Sequence, residues 1–392
     1  MTAALAELLL DTLRLGSQPE GLRSRWAAPA LTSHADAMAA WIAWERGEQW
    51  LLRRLGDAGA LDVAPAPLVE ALRAASREQA KAGMAVDAET ADVVRMLAAH
   101  GIPCILMKGP ARRAAAALYP YADARRTADV DVLVRAGDAE PAWRLLAAAG
   151  YAPLYAPGPA TVAHDESELW MRSRHHLRPL IRPGHAAVEL HVSTSWELPA
   201  EAAWERNTAG ASEIEWQGLT VRVPSATELL WHGLTHGLVW GGGPASPAAW
   251  VLRYGLDTAA IHAVAKVDWG LIAQRLGGPE LPDGDRARMW LSAASQLSGL
   301  PLPASVAPQQ PFPLLRLISW RLAAFASRMV TPRWRTKLLD EATRMELQLP
   351  PAELDPGQRW HVILRRRTAS LAARGAYGGW RWSHRRDFAA TP

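Results

Sequence analysis

The stretch ILMKGPARRAAAALYPYADARRTADVDVLV, residues 105–134, decides how this chain is read. It ends in Asp129-Val130-Asp131-Val132-Leu133-Val134, an apolar run broken by two carboxylates. Such a run reads as a β-strand. Successive side chains on a strand point to opposite faces, so Asp129 and Asp131 share one face and Val130 and Val132 the other. Two carboxylates side by side repel each other, and burying them without a partner is costly. A divalent cation removes that cost. Hard oxygen ligands with open coordination positions suit Mg²⁺, which commonly takes one or two carboxylates and completes its shell with water and phosphate oxygens. An Asp-x-Asp pair is by itself commonplace, usually a solvated strand end.

Three neighbours make this pair informative. Lys108-Gly109 follows the apolar run at residues 102–107, read as a strand leading into a helix over 111–118. Backbone N–H groups and the helix dipole at such a junction favour phosphate, although a lone Lys-Gly also fits an ordinary turn. Arg112, Arg113, Arg125 and Arg126 form a cluster, with Arg125 four residues before Asp129. Guanidinium groups grip phosphate oxygens in a fork, and equally serve as solubilising surface. Glu189 lies in the alternating run Ala187-Val188-Glu189-Leu190-His191-Val192, which places Glu189 and His191 on the polar face. Residues 176–181, the turn signal Arg182-Pro183-Gly184-His185 and this run read as a β-hairpin. A third carboxylate on a neighbouring strand would complete an acidic triad.

Taken together, these residues resemble the bacterial uncharacterised nucleotidyltransferases, a branch of the DNA polymerase β-like nucleotidyltransferase superfamily. The resemblance rests on Leu106-Met107-Lys108-Gly109, Leu118-Tyr119-Pro120, Arg125, the run 129–134, Gly150-Tyr151 and Val188-Glu189-Leu190-His191. It continues through Pro224-Ser225, Glu228, His232 and His236 to Leu252-Arg253-Tyr254-Gly255-Leu256-Asp257 and Val267-Asp268-Trp269, covering roughly residues 90–280. It implies an α+β fold: a mixed β-sheet core with helices, flanked by N-terminal and C-terminal helical regions. It also implies two Mg²⁺ ions on Asp129, Asp131 and Glu189, with an NTP as co-substrate. Lys108, Gly109 and Arg125 would contact the triphosphate, with Arg112 beside them. His191, on the same strand face as Glu189, would serve as a hydrogen-bond partner behind the ligands, orient the acceptor or carry a proton. Much of the superfamily carries Ser just before the first aspartate, where this chain has Ala128. The implied reaction moves a nucleoside monophosphate to an acceptor, small molecule or peptide, with release of pyrophosphate. The competing readings are a non-catalytic nucleotide-binding or partner protein and an RNA-directed nucleotidyltransferase.

The rest of the chain sets bounds. Its 392 residues divide into a helical region over 1–99, its pattern interrupted at Pro65 and Pro67, an α/β core over 100–223 and a helix-rich region over 224–392. Helices are expected over 88–100 and 139–149, stopped by Gly101 and Gly150, and another after the Ser225 N-cap. Residues 216–223 read as a hairpin or late strand. The opening residues lack the basic and small-residue features of a secretory signal. No apolar run approaches the roughly 20 residues of a membrane span, so the expected setting is cytoplasmic. The single cysteine, Cys104, is expected in the core. His232 and His236 have a spacing that can bind zinc but lack the His-Glu-x-x-His pattern, and are expected at the core or the site entrance. Most of the 19 tryptophans are expected as core anchors. Arginines from Arg359 to Arg386 interleave with Trp360, Trp380 and Trp382, a pattern that can meet nucleic acid or an anionic membrane surface and equally fits a solvated helix face and tail. The whole-chain charge of only +4 gives weak support for a dedicated nucleic-acid protein.

Overall fold

The computed structural model describes residues 2–16, 20–124, 126–153, 175–195, 197–240, 251–282 and 284–326. The N-terminal part is helical: α1 (Thr2–Leu13), α2 (Leu22–Trp26), α3 (Ala35–Trp44), α4 (Glu48–Asp57) and the long α5 (Ala66–Ala99). The sequence reading placed a helix over 88–100, with Pro65 and Pro67 as interruptions. Both prolines instead sit at the start of α5, Pro65 as its N-cap and Pro67 in its first turn. A missing N–H costs nothing there and the fixed φ favours the helix. The end matches expectation. Gly101 takes φ +67 and Ile102 N–H donates to the Leu97 carbonyl at 3.0 Å, closing the last turn.

Five strands form one mixed sheet in the order β1 (Cys104–Leu106), β2 (Asp129–Val134), β5 (Ala187–His191), β4 (Leu180–Ile181), β3 (Ala152–Pro153). β1 runs antiparallel to β2, and β2 parallel to β5. The hairpin read from sequence is β4–β5, with Leu180 opposite Val188 and the turn closed by His185 N–H to the Arg182 carbonyl at 3.0 Å. The helix α6 (Lys108–Ala114) starts and stops earlier than its expected 111–118. Ala115 leaves the helical region at ψ +57, and the chain then turns Tyr119 into the core. Between β2 and β3, α7 (Ala136–Ala148) is followed by Gly150 at φ +92, as expected. Cys104 is only partly covered, at the start of β1.

After β5, α8 (Ala200–Thr208) leads to the hairpin β6 (Ser212–Trp216) and β7 (Leu219–Val223), which forms its own two-stranded sheet. Ser225 caps α9 (Ala226–Thr235), its hydroxyl accepting from Glu228 N–H at 3.3 Å. Then come α10 (Val251–Val264), α11 (Trp269–Arg275) capped by Asp268, α12 (Gly284–Ser298), the proline-rich break and α13 (Leu314–Ala326). One cluster of buried apolar side chains runs from Leu5 to Leu322 and includes Trp26, Trp41 and Trp231. The architecture is thus an α+β mixed sheet flanked by helices. No helix among the described residues is long and apolar enough to cross a membrane.

Candidate active site

The site begins with strand alternation. Val130, Val132 and Val134 of β2 and Val188 and Leu190 of β5 are buried in the main core. The opposite face carries Asp129, Asp131 and Leu133 on β2, and Ala187, Glu189 and His191 on β5. Parallel pairing sets Asp131 beside Glu189 and Leu133 beside His191. Farther along this face Ile105, Met107, Leu133 and Trp204 form a small second apolar cluster. The polar groups are therefore confined between two apolar packings.

Lys108 enters from β1. Because β1 and β2 are antiparallel, the end of β1 meets the start of β2, and Met107 N–H donates to the Asp131 carbonyl at 2.9 Å. Lys108 then turns the chain into α6 with φ +42, a left-handed conformation that costs an L residue about 1–2 kcal/mol. Its ammonium lies 2.6 Å from Asp131 Oδ1 and 3.2 Å from Glu189 Oε2. The lysine thus supplies the positive charge that two adjacent carboxylates require. Burial alone would lower its pKa, but Asp131, Glu189 and Asp129 outweigh burial and raise it. Burial would likewise raise the two carboxyl pKa values; the Lys108 charge and the His191 hydrogen bond hold both low.

His191 Nε2 lies 2.9 Å from Asp131 Oδ1 and 3.5 Å from Glu189 Oε2. Asp131 and His191 are each 1% exposed, while Glu189 keeps a fifth of its side chain open. Two buried atoms, Asp131 Oδ2 and His191 Nδ1, have no hydrogen-bond partner among the described residues. Ligand atoms of Asp131, Glu189 and His191 lie within 4.8 Å of one another, a mixed oxygen and nitrogen donor set that fits a divalent cation. Asp129, half-buried at the start of β2, shares their face.

Two imidazoles beside this set, His175 and His176, escaped the sequence reading as site residues, whereas His232 and His236 were expected at the core or the site entrance. His176 pairs with His191 across an isolated bridge, and the rings of His175 and His176 lie 5.1 and 5.2 Å from that of His191. Burial first, and then the His191 charge, lower the pKa of both, to about 4 for His176. His232 on α9 is buried, and burial with the Lys108 and His191 charges keeps it neutral. Its ring is 6.0 Å from that of His236, so this pair borders the site. The hairpin alone could not supply this pairing: with Leu180 opposite Val188 its register extends to Leu177 opposite His191, and a one-residue offset brings His176 there instead.

The other expected residues divide. Gly109 is buried in the first turn of α6. Arg112 is buried against α9, 3.5 Å from the Leu229 carbonyl, where a Cβ on Gly233 would come within 3.0 Å of its guanidinium. Arg113 pairs with Asp87 of α5. Arg125 and the C-terminal arginines lie outside the described residues. Asp257 accepts a hydrogen bond from the Tyr119 hydroxyl, tying the segment after α6 to α10.

No curated protein matches the chain. The family described as "Uncharacterised nucleotidyltransferase" does match, over residues 32–277, a span that takes in α3 to α11 and the whole carboxylate face. The chain belongs to that nucleotidyltransferase family, an enzyme family that transfers nucleotidyl groups.

Proposed function

We propose that this protein is a divalent-metal-dependent nucleotidyltransferase that moves the nucleoside monophosphate of an NTP to a hydroxyl or phosphate oxygen of an acceptor, releasing pyrophosphate. The observation that carries this reading is the pairing of Asp131 with Glu189 on one sheet face, next to a buried Asp131 oxygen that has no partner among the described residues. Asp131 and Glu189, with Asp129 on the same face, would hold the metal, and Mg²⁺ is the expected ion. When bound, a divalent cation would supply Lewis acidity and charge neutralisation to the phosphates.

The chain's own residues do the positioning. His191 Nε2–H donates to Asp131 Oδ1 and fixes the carboxylate's orientation, as outer partners of metal ligands commonly do. Lys108 neutralises the pair, and with metal and nucleotide bound its ammonium would be available to the phosphates beside Gly109. The acceptor oxygen bonds to the α-phosphorus as the bond to the β-phosphate oxygen breaks. The acceptor's proton leaves to solvent. Catalysis on this scheme is orientation and electrostatics, without a covalent enzyme intermediate. Small-molecule and peptide acceptors both suit it.

Calorimetric titration of each NTP, with and without Mg²⁺, tests the reading on the parent and Asp131→Ala. Binding is expected to require both the metal and Asp131. Equal binding by the variant would remove Asp131 from the site.

A further inference from the structure

His191 meets the two carboxylates from the side on which a cation sits. Its Nε2 lies 2.9 Å from Asp131 Oδ1 and 3.5 Å from Glu189 Oε2. These are the same two oxygens that the Lys108 ammonium contacts, at 2.6 and 3.2 Å. An imidazole that only supports a carboxylate ligand bonds to it from behind and leaves the metal-facing oxygen clear. Here the ring nitrogen and the positive charge share one pair of oxygens. Bonds of about 2.0–2.2 Å to a divalent ion set neighbouring ligand atoms about 2.8–3.6 Å apart, for octahedral and tetrahedral angles alike. Both Nε2 separations fall in that range.

The sheet register produces this placement. Parallel pairing sets Asp131 beside Glu189 and Leu133 beside His191, so the imidazole starts one alternation farther along the face and leans back over the carboxylates. The rings of His175 and His176 pack against it at 5.1 and 5.2 Å, and it is 1% exposed. Its other nitrogen, Nδ1, has no hydrogen-bond partner among the described residues, and neither has Asp131 Oδ2. Buried polar atoms are seldom left so. Coordination through Nε2 needs that atom's lone pair, and the ring proton then moves to Nδ1, which holds no other bond among the described residues. The number of protons on the ring is unchanged, and the hydrogen bond to Asp131 Oδ1 belongs to the metal-free chain.

We infer that His191 Nε2 is itself a ligand of the metal, beside Asp131 and Glu189, and that this nitrogen makes the site prefer a first-row transition dication, of the Mn²⁺ or Co²⁺ kind, over Mg²⁺. This rests on the metal role proposed for the two carboxylates. Mg²⁺ is a hard ion that takes oxygen ligands, whereas affinity for a site containing imidazole climbs along the first row from Mn²⁺. Asp131 and Glu189 alone would suit Mg²⁺, and the imidazole shifts the ratio.

Mn²⁺ bound to the full chain, read by electron spin echo envelope modulation, tests the nitrogen ligand without any transfer reaction. Modulation from a directly bound nitrogen is expected in the parent, altered when the chain carries ¹⁵N-histidine. It should vanish in His191→Gln and persist in His175→Gln and His176→Gln. In His191→Gln an amide oxygen replaces the ring nitrogen, so the preference for Mn²⁺ over Mg²⁺ in competition calorimetry should fall about tenfold or more. Bound Mn²⁺ without histidine-nitrogen modulation in the parent overturns the inference and leaves the carboxylates as the metal site; the parent's spectrum decides this even if the variant fails to fold. Modulation that survives in a folded His191→Gln overturns it as well. No binding of Mn²⁺ or Mg²⁺ by the parent, with or without an NTP, removes the metal reading of Asp131 and Glu189 and the inference with it.

Discussion

Replacing Lys108 by Met removes the ammonium that lies 2.6 Å from Asp131 and 3.2 Å from Glu189 while keeping a side chain of similar length. Lys108 is 13% exposed and Asp131 1%, so the pair is screened little by water. Breaking a buried pair by deleting one partner costs about 3–5 kcal/mol, because the remaining charge stays desolvated. His191 remains on Asp131, which places the expected loss toward the lower end. At roughly 2–4 °C per kcal/mol for a chain of this class, the melting temperature in EDTA at pH 7.5 should fall on the order of 10 °C. Two recoveries should follow. With the lysine gone, the folded-state carboxyl pKa values rise above their unfolded values; that contribution is present at low pH and lost as pH rises through the folded value. Lowering the pH from 7.5 to 5.5 should therefore narrow the gap to the parent. A divalent cation no longer has to displace an ammonium, so saturating Mn²⁺ or Mg²⁺ should restore about 2–3 kcal/mol at a hundredfold excess over Kd, more than in the parent. Differential scanning calorimetry reads all three. A variant that melts within a degree or two of the parent in EDTA would show that Lys108 is not the counter-charge of this pair.

Glu189→Gln keeps the shape of the side chain and removes a charge, so pyrophosphate release should drop about a hundredfold or more while NTP affinity changes only a few-fold; unchanged turnover would take Glu189 out of the reacting set. Glu45→Ala removes the carboxylate that pairs with Arg321, 3% exposed, and that accepts from the Leu252 N–H. A loss of about 3–5 kcal/mol in urea unfolding is expected, and a loss under 1 kcal/mol would mean that this link between α3 and α13 is dispensable. His175, His176 and His232 are held neutral with depressed pKa values. Their contribution is therefore fully present above the ordinary histidine value near 6.5 and is lost as pH falls toward about 4 for His176. His191, raised by Asp131 and Glu189 against burial and Lys108, works in the opposite sense. The melting temperature should accordingly fall between pH 7 and pH 5, and fall less in His232→Gln; identical slopes would remove His232 from the account.

What the sequence could and could not disclose follows from how local each determinant is. Alternation along β2 and β5 is a property of consecutive residues, so the shared face of Asp129 with Asp131, and of Glu189 with His191, was readable. The Ser225 cap and the stops at Gly101 and Gly150 are likewise local. The start of α5 was misread because proline carries opposite meanings inside a helix and in its first turn, and only the backbone tells them apart. The register that places Asp131 beside Glu189 joins residues 58 positions apart and belongs to the closed sheet, not to either strand. Lys108 shows the same limit. A lysine before a glycine after a strand reads as a phosphate contact, yet in the folded chain its ammonium rests on the carboxylates. Both descriptions can hold for one residue at two stages. A positive charge is needed wherever Asp131 and Glu189 meet, and if the proposed divalent cation supplied it, the lysine would be freed next to the glycine turn where a triphosphate would lie. The residue that stabilises the empty site is then the one free to engage the nucleotide when the site fills, which is why its loss should weaken the metal-free protein most.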